Sequence, residues 1–406
     1  MVAFNGFGCS KPALKLPSPP TPFVPQAGRC DNALPLQNVR VTESAGESND
    51  PSIVWSGSAF TLAWWDTRST EPEVFTIGLR PDGTEASHFS KIPSLGSAKH
   101  PTLAFDGIQT DLVWSQDVRV LSARLNGGAP EIHHLSKGGM EPCAGAWGAA
   151  VWSASGLLYF RSDGMVDTKT GAPLQPQVIA SGGIETPGIV YNGVFYAIVW
   201  SESVKGGRRI VMQRVSPKGE RLGGLMEVSN SAGPHQKPVI AWNANRFAVA
   251  WTVSEKNIQS PRDEHHIYFA LLPEVGDAPL LSKPTDVWGV LEAAAIATSG
   301  KEYALAWTGA KENEGCGIFF QRIDLDGNPA SDILEVSDKP AITCSAPTLA
   351  WDGKGYGAAW DDDRGGMETE IYFSYIACGE HLDMTGITPR VKTKESNELP
   401  TLKEVF

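Results

Sequence analysis

Two stretches decide the architecture of this chain: Pro347-Thr-Leu-Ala-Trp351-Asp-Gly-Lys-Gly-Tyr356-Gly-Ala-Ala-Trp360 and its earlier counterpart Pro238-Val-Ile-Ala-Trp242-Asn-Ala-Asn-Arg-Phe247-Ala-Val-Ala-Trp251. In each, two short apolar runs flank a turn headed by Asp352-Gly353 or Asn243-Ala244. Period-2 alternation places Phe247, Val249 and Trp251 on one face of an extended segment and Ala248 and Ala250 on the other. Asp and Asn in the turn tolerate a positive φ, the requirement of a tight hairpin. The unit is a β-hairpin apolar on both faces, as expected of a strand pair held between two layers.

The closing Trp recurs at Trp64, Trp114, Trp152, Trp200, Trp251, Trp307 and Trp360, at spacings of 38 to 56 residues. In five copies an aromatic stands nine residues earlier, at Trp55, Phe105, Tyr191, Trp242 and Trp351, and a Pro precedes the first run at Pro51, Pro101, Pro187, Pro238 and Pro347. We label these runs strands a and b. A third β-rich run follows each Trp, as in Ile267-Tyr-Phe269 and Ile371-Tyr-Phe373, and a fourth follows a turn such as Arg80-Pro-Asp-Gly83. A strand of this kind tolerates Pro at its first position, where no N–H is needed. Four strands per repeat at this period predict an all-β fold, a seven-bladed β-propeller of four-stranded antiparallel blades. Residues 1–36 read as a Pro-rich linker and 37–406 as the propeller. Repeat 3 shortens its a–b turn to Trp147-Gly148, and repeat 6 carries Thr298 where the inner aromatic belongs. Asn38–Thr42 and Thr388–Lys392 compete for the outer edge of the last blade, and the N-terminal strand is expected to close the ring.

The 42 Gly, 29 Pro and 13 Trp with only 20% charged residues fit many short strands and turns. A net charge of −12 excludes nucleic acid as the main partner, because phosphate binding needs clustered Lys and Arg. No apolar run reaches the roughly 18 residues of a spanning helix. Of the six cysteines, Cys316 and Cys344 fall on the face carrying the d–a and b–c loops of adjacent repeats, while Cys30 and Cys378 fall together on the other face. The expected disulfides are therefore Cys316–Cys344 and Cys30–Cys378, the second stapling the closure. Cys143 is read as a buried small hydrophobe.

The phrase P-x-[LIV]-A-W-x-G-x-x-[FY]-x-[AV]-A-W, followed by Asp361-Asp362-Asp363-Arg364 and Ile371-Tyr372-Phe373, resembles the repeats of bacterial secreted and lipoprotein propellers over nearly all of 37–406. Gly8-Cys9-Ser10 before the Pro-rich 11–25 resembles the start of a mature lipoprotein, with Gly6 where such motifs usually carry Leu. The resemblance implies a secreted, periplasmic or outer-membrane location, with a lipid anchor at Cys9 as one form of it. It implies a fold rather than an activity, since such propellers include lectins, adhesion modules, scaffolds, lyases and hydrolases.

Ligands of propellers sit at the mouth of the axial channel, where the phase places Asp50, His100, Glu141, Glu185, Thr186, His235 and Lys237, with Glu292 in repeat 6. Polar side chains there also serve simply to solvate the loops. Trp64-Trp65-Asp66-Thr-Arg68 and Trp360-Asp361-Asp362-Asp363-Arg364 are copies of one pattern in neighbouring blades. Asp66 with Arg68, and Asp362 with Arg364, are expected to shape their loops by charge-assisted bonds; the alternative is a recognition patch that includes Trp65. His235 with Asp263, His265 and His266 is the densest set of metal-ligand types, although adjacent His side chains on a strand point to opposite faces. No cofactor is expected otherwise. There is no G-x-S-x-G, H-E-x-x-H, P-loop or dinucleotide fingerprint. The sequence favours a non-catalytic module that binds a glycan or protein through the mouth. The alternatives are a lyase or hydrolase with its site there, and a structural scaffold of a surface assembly.

Overall fold

The computed structural model describes residues 26–379, apart from 95, 106–108, 118, 126–129, 135–148, 154–155, 162–163, 168–183, 218, 230–231, 256–263, 277, 286–293, 312–314 and 367. All its regular elements are strands, arranged as consecutive antiparallel meanders. Repeat 1 runs Ser48–Trp55, Phe60–Asp66, Glu73–Leu79 and Glu85–Lys91 in that spatial order. The hairpin logic of the sequence is seen directly, with Trp55 paired to Phe60, Trp242 to Phe247 and Trp351 to Tyr356 across their turns.

The expected seven four-stranded blades are corrected to six. Repeats 1, 2, 4, 5, 6 and 7 each form a sheet of at least four strands, whereas repeat 3 supplies three short ones, Ala149–Ser153, Gly156–Arg161 and Gly164–Asp167. The physical reason lies in the shortened turn: in the other six repeats four residues separate the paired ends of strands a and b, as between Trp55 and Phe60 or Thr298 and Tyr303, whereas the sequence of repeat 3 offers only Trp147-Gly148 before its strand b. Among the described residues it forms a three-stranded b–c–d meander, and 135–148 lie outside them.

Repeat 7 takes its outer strand from the other end of the chain. Leu34 and Pro35 pair antiparallel with Ala377 and Ile376, and Val39 and Arg40 with Phe373 and Tyr372. Arg40 donates to Glu370 at 2.7 Å, and the Ser44 N–H donates to the same carboxylate. The Cys30–Cys378 disulfide joins the two ends, and Cys316–Cys344 joins repeats 6 and 7. Two disulfides fit an oxidising, extracellular compartment. Among the described residues no helix is long and apolar enough to cross a membrane. Thr388–Lys392, the competing edge segment, lies outside the described residues, as do Cys9 and Cys143.

Core packing runs between repeats rather than within them. Trp64, Trp114, Trp200, Trp251, Trp307 and Trp360 are all buried, and each main hydrophobic cluster joins two consecutive repeats. Phe60 of repeat 1 packs with Phe373 of repeat 7 at a centroid distance of 5.5 Å. Gly357 is required at that junction, since a Cβ there would meet the Phe60 ring at 2.6 Å.

Strand a departs from its expected form in one instructive way. Pro51, Pro101, Pro187 and Pro238 do not open their strands but sit inside them, at a bulge where pairing skips from Asn49 to Ser52, Lys99 to Thr102, Glu185 to Gly188 and Gln236 to Val239. A bulge leaves residues unpaired, so the missing N–H of Pro costs nothing there.

Candidate functional site

The bulges position the site. Asp50, His100 and Lys237, each immediately before its Pro, adopt positive φ values of 53°, 53° and 50°. An L-residue in this left-handed region costs about 1–2 kcal/mol, and such strain clusters where a side chain is aimed at a task. All three line one axial cavity of about 780 Å³, to which strand a of every four-stranded repeat contributes. Ile53, Leu103, Ile189, Val239, Ile240, Ile296 and Leu349 contribute branched aliphatic side chains to the same channel. The result is a polar mouth above an apolar lining, with a volume typical of small-molecule sites.

The polar groups are most concentrated where repeats 7, 1 and 2 meet. Asp50 Oδ2 accepts the Trp65 indole N–H at 2.6 Å and lies 2.8 Å from His100 Nδ1. The Lys99 ammonium stands 4.7 Å from the centroid of the Trp65 ring, a cation–π contact on the same side chain. Asp361 completes the corner. It lines the channel, is only 1% exposed, and accepts the Ser345 hydroxyl on Oδ2 at 2.7 Å. Its Oδ1 has no hydrogen bond of good geometry, although the Asp50 backbone N–H faces the carboxyl and favours its charged form. Burial dominates, and with repulsion from Asp50 and Asp362 it pushes the Asp361 carboxyl up to about 7.

Among the described residues singled out from the sequence, Trp65, Asp66, Arg68, His235, His266, Asp362 and Arg364 are not part of the channel lining. His235 is 6% exposed and accepts the Trp251 indole N–H on Nδ1 at 3.0 Å. His235 and His266 pair with the same residue, Val253, from opposite sides, so two strand spacings of about 4.8 Å each separate them. His265 pairs with Ser254, one register position away. Asp263, Glu141 and Glu292 lie outside the described residues, and of Glu185 only the strand position is described. Among the described residues no group of three or more His, Cys, Asp and Glu converges on one point.

The two Asp-x-Arg copies are loop staples. Arg68 Nε and Nη2 reach Asp66 at 2.9 and 2.6 Å, and its guanidinium stacks on Phe75 and Phe89. Arg364 binds Asp362 in the same fork and also reaches Asp338 at 2.7 Å and Asn38 at 2.8 Å, which ties repeat 6, repeat 7 and the N-terminal segment together.

Neither the family models nor the curated proteins offer a match to this chain. Solved structures do. The chain is similar to a protein of unknown function from Dyadobacter fermentans, with a TM-score of 0.55 at 10% identity over 86% of this chain and 99% of that one. Hydrazine synthase of Kuenenia stuttgartiensis aligns with a TM-score of 0.49 at 12% identity over 79% of this chain and 95% of that one. The catalytic domain of a GH62 α-L-arabinofuranosidase of Coprinopsis cinerea gives 0.39 at 10% identity over 87% and 100%. The fold is a propeller with neighbours of varied function, and at these identities the likeness extends to the fold alone.

Asp361, Ser345 and Lys99 escaped the sequence reading. A signal for Asp361 was present: the residue after the recurring Trp is Trp65, Ser115, Ser153, Ser201, Thr252 or Thr308 in the other repeats, and a carboxylate only in repeat 7.

Proposed function

We propose that this protein is an exported binding propeller that recognises a glycan at its axial mouth, through Asp50, His100 and Asp361 with Lys237 across the channel. One observation carries the reading: three strained bulge residues from different repeats converge on one cavity with a polar rim and an apolar lining. Sugar recognition needs such fixed donors and acceptors around a concave surface. The test is a glycan array probed with the wild-type chain and with Asp50→Ala/Lys237→Ala. Binding of a defined glycan set by the wild type, lost in the double variant while the fold is retained, supports the reading. A protein ligand captured at the outer blade faces, with no glycan bound, overturns it.

A second reading, a hydrolase or lyase working at the same mouth, is favoured by one feature. A buried carboxyl titrating near neutrality is suited to general acid catalysis. Turnover of any array glycan by the wild type, abolished in Asp361→Asn, would move the assignment to this second reading.

A further inference from the structure

The corner between repeats 7 and 1 has a property that polar recognition in general does not require. Asp361 is buried, lines the channel and leaves Oδ1 without a hydrogen bond of good geometry. Asp50, on the adjacent repeat, takes both of its side-chain hydrogen bonds on Oδ2. Among the described residues no arginine pairs with Asp361 or Asp50: Arg364 is committed to Asp362, Asp338 and Asn38, and Arg68 to Asp66. Among the described residues the other titratable groups lining the channel are His100 from repeat 2, hydrogen-bonded to Asp50, and Lys237 from repeat 5. Lys99 stands over the Trp65 indole that donates to Asp50, 4.7 Å from the ring centroid, so one cation already sits beside this corner.

Resting on the glycan reading above, we propose that the mouth selects a sugar carrying a free amino group, with its ammonium held between Asp361 Oδ1 and Asp50. An ammonium offers three N–H donors, enough for both carboxylates and one further acceptor. It also places a positive charge beside the buried Asp361 and the half-buried Asp50. An acetylated amine loses the charge and two of the donors, and presents a carbonyl oxygen to two acidic groups.

The experiment is isothermal titration of the full chain with the glucosamine trisaccharide and with its fully N-acetylated counterpart, at pH 7 and low salt. The expected result is at least about 10-fold tighter binding of the free-amine sugar, a preference that falls to within about 2-fold in Asp361→Asn. Ser345→Ala, which leaves the carboxyl in place, is expected to keep the preference and so controls for packing damage. Equal binding of the two sugars by the wild type overturns the amine proposal and leaves the mouth reading standing. Tight binding that survives in a channel-blocking Ile53→Trp variant overturns the mouth reading itself. Binding of n-butylamine as tightly as the sugar shows that a simple amine suffices, and overturns the commitment to a glycan. Failure of both sugars to bind counts against both.

Discussion

Replacing Asp361 by Asn should change the pH dependence of stability by an amount the structure sets. The carboxyl has a reference value of 3.8 and is pushed up to about 7 in the native state, chiefly by burial. The sign follows from proton binding. Below about pH 4 the group is protonated whether the chain is folded or not, and contributes nothing. As pH rises toward 7 the unfolded chain releases the proton while the native state keeps it, so stability falls. Above 7 the penalty is complete, and three pH units at about 1.4 kcal/mol each make it about 4 kcal/mol. Asn has nearly the same shape and carries no charge. Its carbonyl can still accept from Ser345, and its unmet N–H₂ donors cost about 1–3 kcal/mol at every pH. The difference between variant and wild type should therefore move by about 4 kcal/mol in the variant's favour between pH 4 and pH 8. Equilibrium urea unfolding followed by tryptophan fluorescence, with disulfides intact, measures it. A variant-to-wild-type gap that is the same at both pH values would refute the assignment of a buried, desolvated carboxyl at this position.

Three further outcomes follow from the packing. Removing the Cys30–Cys378 bridge, which spans 348 residues, should destabilise more than removing Cys316–Cys344, which spans 28. Loop entropy gives about 6 against about 4 kcal/mol, and urea midpoints of the two double-Ser variants rank them. Arg364→Ala strands Asp362 in a fully buried position and cuts the tie to Asn38 and Asp338, for a loss of about 3–5 kcal/mol. Limited proteolysis should then begin within 30–45, and an uncut N-terminal segment would contradict the role given to Arg364. His235→Ala should cost about 1–3 kcal/mol through the unpaired Trp251 indole, with glycan binding unchanged. Loss of binding at retained stability would instead put His235 in the site.

Much of the architecture was legible because it is written in local, repeated chemistry. Alternating apolar residues on either side of Asp352-Gly353 and Asn243-Ala244 define a hairpin without help from the rest of the chain. The phase of the repeat placed Cys30 beside Cys378 and Cys316 beside Cys344, the pairs the structure joins. The same logic overcounted the blades. Trp152 is a faithful copy of the marker residue, yet a marker on strand b says nothing about whether the turn before it is long enough to make a hairpin.

The site was legible only in outline. Asp50, His100 and Lys237 were placed at the mouth by position alone; that they stand on left-handed bulges follows from the register slip around the prolines, which strand alternation does not reveal. His235, one bulge length earlier, looked equivalent and is instead a buried acceptor for an indole.

By itself the sequence determined the β class, the repeat, the hairpins and the two disulfides, because each depends on residues a few positions apart or on a regular period. Tertiary structure alone decided how many blades were complete and which carboxylate reached the channel. Asp361 and Asp362 are adjacent in the chain, but one meets Arg364 and the other meets Asp50, more than 300 residues away in sequence. Side chains of neighbouring residues on a strand point to opposite faces, so what each one meets was set by the ring's closure rather than by the local pattern.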